Sequence, residues 1–137
     1  MDNSKKHKKK YLNFKNNFLQ LGGIQFDNVS LGEAVRLWLT NRSQAMQQYG
    51  PISEWDVSLV TDMSRLFYNY HNFNSDISSW HVNNVTNMEA MFNNASSFNQ
   101  PLDNWNVDNV TNMIYMFNNA RSFNQPLNNW IVDNVTN

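Results

Sequence analysis

Apolar residues recur at a fixed 25-residue interval along the second part of the chain. Tryptophan marks the start of each unit, at positions 55, 80, 105 and 130. The units read WDVSLVTDMSRLFYNYHNFNSDISS, WHVNNVTNMEAMFNNASSFNQPLDN, WNVDNVTNMIYMFNNARSFNQPLNN and WIVDNVTN, without insertion or deletion. One such unit cannot bury its apolar face alone, so the strict interval predicts equivalent units that stack on one another.

The same apolar side chains fall in the same columns of each unit, which predicts a shared core in which like residues lie over like. Valine, methionine and phenylalanine keep their offsets from the tryptophan throughout. The predicted repeat core is Trp55, Trp80, Trp105, Trp130, Val60, Val85, Val110, Met63, Met88, Met113, Phe67, Phe92, Phe117, Phe73, Phe98 and Phe123.

Within a unit, the pattern predicts a strand, a short helix and a turn. Residues 80–82 alternate apolar and polar, as a short strand does. Residues 85–92 place apolar side chains at helical spacing, and Thr86 is a candidate N-cap. The polar, proline-containing residues 98–102 indicate a turn.

An amphipathic segment precedes the first unit. Residues 31–39 place Leu31, Val35 and Trp38 on one face, and Ser30 is a candidate N-cap for this helix. We therefore divide the chain into a basic, flexible tail at 1–23, an N-terminal helical cap at 24–54, and three 25-residue repeats plus a partial fourth at 55–137.

Asparagine is the commonest polar residue of the repeats, and glycine is absent from Trp55 onward. Asparagine tolerates left-handed backbone conformations and can bond to neighbouring backbone groups. We expect asparagines to take the place of glycine at tight corners. The candidates are Asn93, Asn94, Asn118, Asn119, Asn99 and Asn124.

The units resemble those of the BspA-like leucine-rich-repeat family, whose unit runs approximately W-x-V-S-x-V-T-x-M-x-x-M-F-x-x-A-x-x-F-N-x-x-L/I-x-x-W. Residues 80–130 match most of those positions. The resemblance implies an α/β fold, a short right-handed leucine-rich-repeat-like solenoid with an N-terminal capping helix. It also implies a non-enzymatic protein–protein interaction scaffold, of a kind met on bacterial surfaces, in protists and in large DNA viruses. The family has no shared catalytic residues, so none is carried over.

Composition argues against catalysis, metals and cofactors. The chain has no cysteine, which excludes disulfides, thiolate zinc sites and cysteine nucleophiles. Nucleotide-binding, hydrolase and zinc-protease motifs are absent from the sequence. His71 and His81 have no partners at metal-ligand spacing. We predict that the protein is not an enzyme and uses no cofactor.

Charge is divided unevenly along the chain. Residues 1–15 carry six lysines and one aspartate, a net charge of +5, whereas residues 16–137 carry four arginines and ten acidic residues, a net charge of −6. The basic run contains Lys5, Lys6, Lys8, Lys9 and Lys10. It suits contact with nucleic acid or an anionic membrane, but we favour a solvated tail. No stretch predicts a membrane span or a signal peptide, which favours an intracellular location, in a host cytoplasm or a virion.

Two functional hypotheses follow. In the first, an unidentified protein partner binds the polar positions beside the tryptophans, at Asp56, His81 and Asn106. In the alternative, the protein is a structural or assembly component of a virion or surface layer. It would then stack, or associate with itself, through an open C-terminal end that carries Trp130 and Ile131.

Overall fold

The computed structural model describes residues 2–6, 8–9 and 23–137. Residues 3–6 and 8–9 are helical. Two longer helices follow, α1 at Asn28–Thr40 and α2 at Arg42–Tyr49, and a 3₁₀ turn at Ile52–Glu54 leads into the repeats. The chain from residue 55 onward is built from turns, and each 25-residue unit forms one coil that lies on the coil before it.

Helix α1 begins earlier than the sequence predicted. Asp27 is its N-cap, and the Asp27 carboxylate accepts a hydrogen bond from the Ser30 N–H at 2.8 Å. The Ser30 hydroxyl in turn accepts one from the Asp27 N–H at 2.9 Å, which completes a capping box. The prediction of Ser30 as the N-cap is therefore wrong, because Ser30 lies at the third helical position. The buried face of α1 carries Leu31, Ala34, Val35 and Trp38.

The residues predicted to form a helix in each unit form a run of overlapping turns instead. We call residues 63–70, 88–95 and 113–120 the turn runs. In the second run, the N–H groups of Met91, Asn93 and Ala95 each donate to the carbonyl three residues earlier. The intervening N–H groups point to the next coil; Phe92, for example, donates to Met116 at 2.9 Å. The predicted helix at 85–92 is wrong, because five of its eight N–H groups bond to the coils on either side.

The described residues contain no sheet, and the predicted fold class is wrong. Parallel pairing in the part of the chain that the structure describes is limited to three isolated bridges, Gln25 with Asp56, Asp62 with Asn87, and Asn87 with Asn112. The expected strand at 80–82 is absent, since the Trp80 N–H and the Val82 carbonyl are both taken up in local turns. An α/β leucine-rich-repeat solenoid, with a strand and a helix in each unit, is therefore not what this chain forms.

Two positions in each turn run have a positive φ. The angle is 51° at Ala90 and 61° at Asn94, and their equivalents are Arg65, Asn69, Tyr115 and Asn119. Each is the third residue of a hydrogen-bonded turn, where a type II turn requires a positive φ. Asn94 and Asn119 take the conformation expected of them, whereas the other candidates do not: Asn93, Asn99, Asn118 and Asn124. The positive angles at Arg65, Ala90 and Tyr115 were not predicted, because these residue types rarely adopt it.

Phenylalanine rings form two columns through the stack. The rings of Phe67, Phe92 and Phe117 are stacked at 5.5 Å in both steps. The second column is Phe73, Phe98 and Phe123, and Phe98 also lies 4.2 Å from Phe92 within its own coil. Of the predicted core, the members at Trp55, Val60, Met63, Phe67, Phe73, Trp80, Val85, Met88, Phe92, Phe98, Trp105 and Val110 are buried, and those at Met113, Phe117, Phe123 and Trp130 are half-buried.

Helix α1 and the residues before it cover the first coil. The Trp38 and Trp55 rings meet edge to face at 5.8 Å, and Phe26 lies 5.1 Å from Trp55. The Asn28 side chain accepts a hydrogen bond from the Thr61 N–H at 2.9 Å and donates one to the Thr61 hydroxyl at 3.0 Å. In the second coil, the equivalent N–H group, that of Thr86, donates to the Thr61 carbonyl of the coil before it. Asn28 thus provides for Thr61 the partner that a preceding coil provides elsewhere.

Candidate interaction surfaces

The predicted binding residues Asp56, His81 and Asn106 are all exposed and occupy one column of successive coils. Asp56 and His81 line a shallow groove of 490 Å³ with Ser53 and Ser79, whereas Asn106 does not contribute to it. The Asp56 carboxylate accepts the Ser58 N–H at 3.0 Å. Asn106 likewise accepts a backbone N–H of its own turn. Two of these three side chains therefore stabilise local turns.

Four of the tail lysines, Lys5, Lys6, Lys8 and Lys9, are exposed. Lys10 lies outside the described residues. The tail begins with a local cap in which the Asp2 carboxylate accepts hydrogen bonds from Ser4. These bonds hold the pKa of Asp2 below its usual value.

A second surface gathers the arginines, and sequence reasoning missed it. Three neighbouring hollows of 340, 300 and 240 Å³ run together, because the first two share Tyr70 and the last two share His71. We call this surface the arginine groove. All four arginines of the chain line it: Arg36 and Arg65 in the first hollow, Arg42 in the second and Arg121 in the third.

Aromatic rings hold two of these guanidinium groups in position. The Arg42 guanidinium lies 4.9 Å from the centre of the Trp38 ring, and that of Arg65 lies 5.6 Å from the Tyr68 ring. Arg65 also approaches the Glu89 carboxylate at 3.6 Å. Stacking on a ring orients a guanidinium while its N–H groups stay free to bind a ligand.

The arginine groove contrasts in charge with the rest of residues 16–137. Among the described residues that line its three hollows, Asp62 is the one carboxylate, against four arginines. Residues 16–137 as a whole carry a net charge of −6. One feature of the sequence could have pointed to the arginine groove. His71 and Arg121 lie two units apart in the same column, but their different residue types hid the relationship.

Within the described residues, three or more His, Asp or Glu side chains nowhere converge as a metal site would require. Over the same residues, no helix has the length and apolar character needed to cross a membrane.

Within the described residues, the last coil has fewer partners than the coils before it. Met113 donates its N–H to Asn137 at 2.8 Å, but no acceptor within the described chain meets the N–H groups of Tyr115, Phe117 and Asn119. Phe117, Phe123 and Trp130 are only half-buried here. Ile131 next to them is 54% exposed.

Residues 35–137 match a family described as Mycoplasma protein of unknown function, DUF285. The chain belongs to the DUF285 family. No curated protein and no solved structure matches it. The DUF285 match includes all four arginines of the groove, Arg36, Arg42, Arg65 and Arg121, and it leaves out the lysine tail. Asn28 and Gly32, which also line the first hollow, lie just before the matched residues.

Proposed function

We propose that this DUF285 protein is a non-enzymatic protein–protein interaction scaffold of the BspA-like repeat type. The observation that carries the proposal is the arginine groove, in which every arginine of an otherwise acidic body lies along one continuous surface. The BspA-like assignment is supported by the 25-residue unit and by the order of its Trp, Val-Thr-x-Met and Met-Phe positions.

The chemistry of the groove favours an acidic segment of a partner protein. Guanidinium groups bind carboxylates through paired hydrogen bonds, and arginine and tyrosine are enriched among the residues that contribute most to protein interfaces. Arg42 and Arg65 are already oriented by rings, which lowers the entropic cost of binding. Tyr70 and His71 connect the hollows, so an extended segment can contact all of them.

Affinity capture from an extract of the source cells tests this proposal. The test variant is Arg36→Gln with Arg121→Gln, because neither side chain makes a hydrogen bond or ion pair within the described residues and folding should be preserved. We expect specific partners of the unaltered chain to be depleted at least about tenfold by this double variant, since each lost contact to a charged group is worth about 1.5–3 kcal/mol.

The matched control is His81→Ala with Asn106→Ala, in the other candidate surface. Partner recovery should survive in this control and should fall with added salt for the unaltered chain. Equal recovery with the arginine variant would overturn the groove assignment, and loss with the control alone would move the binding surface to the Asp56 column.

As a second candidate, we propose a structural or assembly component, in a virion or a surface layer. The specific observation in its favour is that one coil donates backbone N–H groups to the next, as Phe67 does to Met91 and Phe92 does to Met116, so that like coils associate through main-chain hydrogen bonds. Sedimentation in the presence of the source extract tests it. A species of unchanged, monomeric size at all concentrations would count against an assembly role.

A further inference from the structure

We propose that the first hollow of the arginine groove binds an aromatic side chain, and that the third hollow binds an acidic side chain of the same partner segment. The groove thus has two chemically different ends, and the segment that fits it carries an aromatic residue on one side of its acidic residue. This inference rests on the function proposed above and adds to it the composition and the order of the bound segment.

A glycine on helix α1 provides the first argument. Gly32 lies in the interior of this helix, where glycine is destabilising relative to alanine. It is not among the residues with a positive φ, and a Cβ at this position would meet none of the described atoms within 4 Å. Neither the backbone conformation nor the packing therefore requires glycine here. Because Gly32 lines the first hollow, the consequence of its missing side chain is that this hollow stays open.

The first hollow offers apolar surface between α1 and the first turn run. Val35 lines it from the helix, and Leu66 and Tyr70 line it from the turn run. Leu66 and Tyr70 are half-buried, since each packs against the core and keeps part of its side chain accessible. The volume of 340 Å³ is more than twice the roughly 150 Å³ of a protein cavity that holds a benzene molecule, so an aromatic ring fits.

The charges around the first hollow disfavour an acidic group there. The Arg65 guanidinium already lies 3.6 Å from the Glu89 carboxylate, and the Asp62 carboxylate lines the hollow. A carboxylate of the partner would have to displace Glu89 from Arg65, and Asp62 would repel it. An aromatic ring avoids both costs, and the Arg36 guanidinium at the same hollow attracts the face of such a ring.

The third hollow has the opposite character. Among the described residues that line it, Arg121 and His71 accompany only uncharged polar side chains, those of Asn94, Ser96 and Asn119. This hollow therefore contains neither a carboxylate nor an apolar side chain from the described part of the chain. Arg121 is exposed, and a guanidinium can form paired hydrogen bonds with a carboxylate. This end of the groove suits the acidic residue of the segment.

The middle hollow joins the two ends and fixes their order along the bound segment. It shares Tyr70 with the first hollow and His71 with the third. One extended segment can therefore place an aromatic side chain in the first hollow and a carboxylate in the third without leaving the groove.

Titration of the full chain with synthetic peptides, followed by NMR, tests the proposal. Each peptide contains one phenylalanine and one glutamate, separated by glycine–serine spacers of increasing length and placed in both orders. The tightest binder should shift the amide signals of Gly32, Leu66 and Arg121 together. Replacement of its phenylalanine with serine should lower the affinity at least about tenfold, because the burial of an aromatic side chain is lost.

Gly32→Leu tests the open hollow directly. The added side chain fills the first hollow and should weaken the tightest peptide at least about tenfold. Val29→Leu is the matched control, because Val29 lies on the same helix, is 71% exposed and does not line the groove. It should leave the affinity unchanged. Gly32→Ala adds only the Cβ and should raise the midpoint of thermal unfolding, since alanine favours a helix.

The outcomes separate this inference from the function on which it rests. The aromatic site is overturned if Gly32→Leu binds with unchanged affinity, if the serine peptide binds as tightly as the phenylalanine peptide, or if no peptide binds. A lower unfolding midpoint for Gly32→Ala also overturns it, because the fold itself would then require the glycine. If Arg121→Gln still weakens the acidic peptides in these cases, the arginine groove remains a binding surface and only the aromatic site falls. Both fall together if the arginine double variant also retains every captured partner.

Discussion

Trp80 donates its indole N–H to the Ile52 carbonyl at 2.8 Å, and the same carbonyl accepts the backbone N–H of Trp55. The arrangement recurs one unit later, where the Ile77 carbonyl accepts from the Trp80 N–H and from the Trp105 indole. One carbonyl therefore closes a turn in its own coil and anchors the tryptophan of the next. This link couples adjacent coils at a buried position.

Replacing Trp105 with phenylalanine should lower the free energy of unfolding by about 2 kcal/mol. The change removes the indole hydrogen bond and leaves unfilled space beside a ring that is 2% exposed. Trp130→Phe is the matched control, since Trp130 makes the equivalent bond but is half-buried, and it should cost less. Urea denaturation measures both values. Equal losses would contradict a dependence on burial between coils.

Tyr115→Gly should stabilise the protein by about 1 kcal/mol, because a non-glycine residue in the left-handed region costs about 1–2 kcal/mol. Tyr115 has a φ of 57° and is 63% exposed, so little packing is lost with its ring. Ile114→Gly, at the preceding position and outside the positive-φ set, should instead destabilise by about 0.5–1 kcal/mol. Thermal unfolding should show midpoint shifts of opposite sign.

Asn28→Ala should destabilise the first coil by about 1–2 kcal/mol. The Asn28 side chain accepts the N–H groups of Thr61 at 2.9 Å and Asp62 at 3.3 Å, and alanine leaves both without this partner. Val29→Ala is the control, since Val29 is 71% exposed and makes no such contact. Hydrogen exchange at Thr61 and Asp62 should accelerate in the first variant and stay constant in the second.

Stability should fall as the pH drops through the acid range, in part because of Asp27. The Ser30 backbone N–H, and then the Ser30 hydroxyl, hold the pKa of Asp27 below its ordinary value of 3.8. A lowered folded-state pKa means that the ionised form favours folding. Its contribution is therefore complete above the unfolded-state pKa and is lost as the pH falls through the folded-state value.

Asp27→Asn tests this dependence on pH. The variant should unfold at lower denaturant concentration than the unaltered chain at pH 7, and the difference should shrink below about pH 4, where the carboxylate becomes protonated. Asp76 remains in both proteins, and its pKa is lowered by the Ser78 hydroxyl and then by the Ser78 N–H, so part of the acid sensitivity should persist. A difference that is constant with pH would exclude Asp27 as a contributor.

The side-chain register could be read from the sequence, but the backbone conformation could not. A strict 25-residue spacing puts Phe67, Phe92 and Phe117 in one column whatever the backbone between them does. The apolar spacing of 85–92 suits a helix equally well, and only the bonds from Phe92 and Ala90 to the next coil decide against one. Those bonds join different coils, so the sequence of a single unit does not reveal them.

The candidate surfaces were only partly predictable for the same reason. Asp56 and His81 were singled out because they adjoin a tryptophan in every unit, and they do share a groove. The arginine groove depends on α1 lying beside the first turn run, which brings Arg36 next to Arg65. That helix carries none of the 25-residue periodicity, so the spacing of the units holds no information about its position.

The carbonyl shared by Trp55 and Trp80 also bears on how such a chain can change its length. Each coil offers the same acceptors to the coil after it, so a duplication that inserts one whole unit between Val82 and Val107 would recreate every link on both sides. An insertion that is not a whole number of units would misalign the rings of all subsequent coils. The length of such a protein can therefore change by whole 25-residue repeats, whereas a change of intermediate size disrupts the stack.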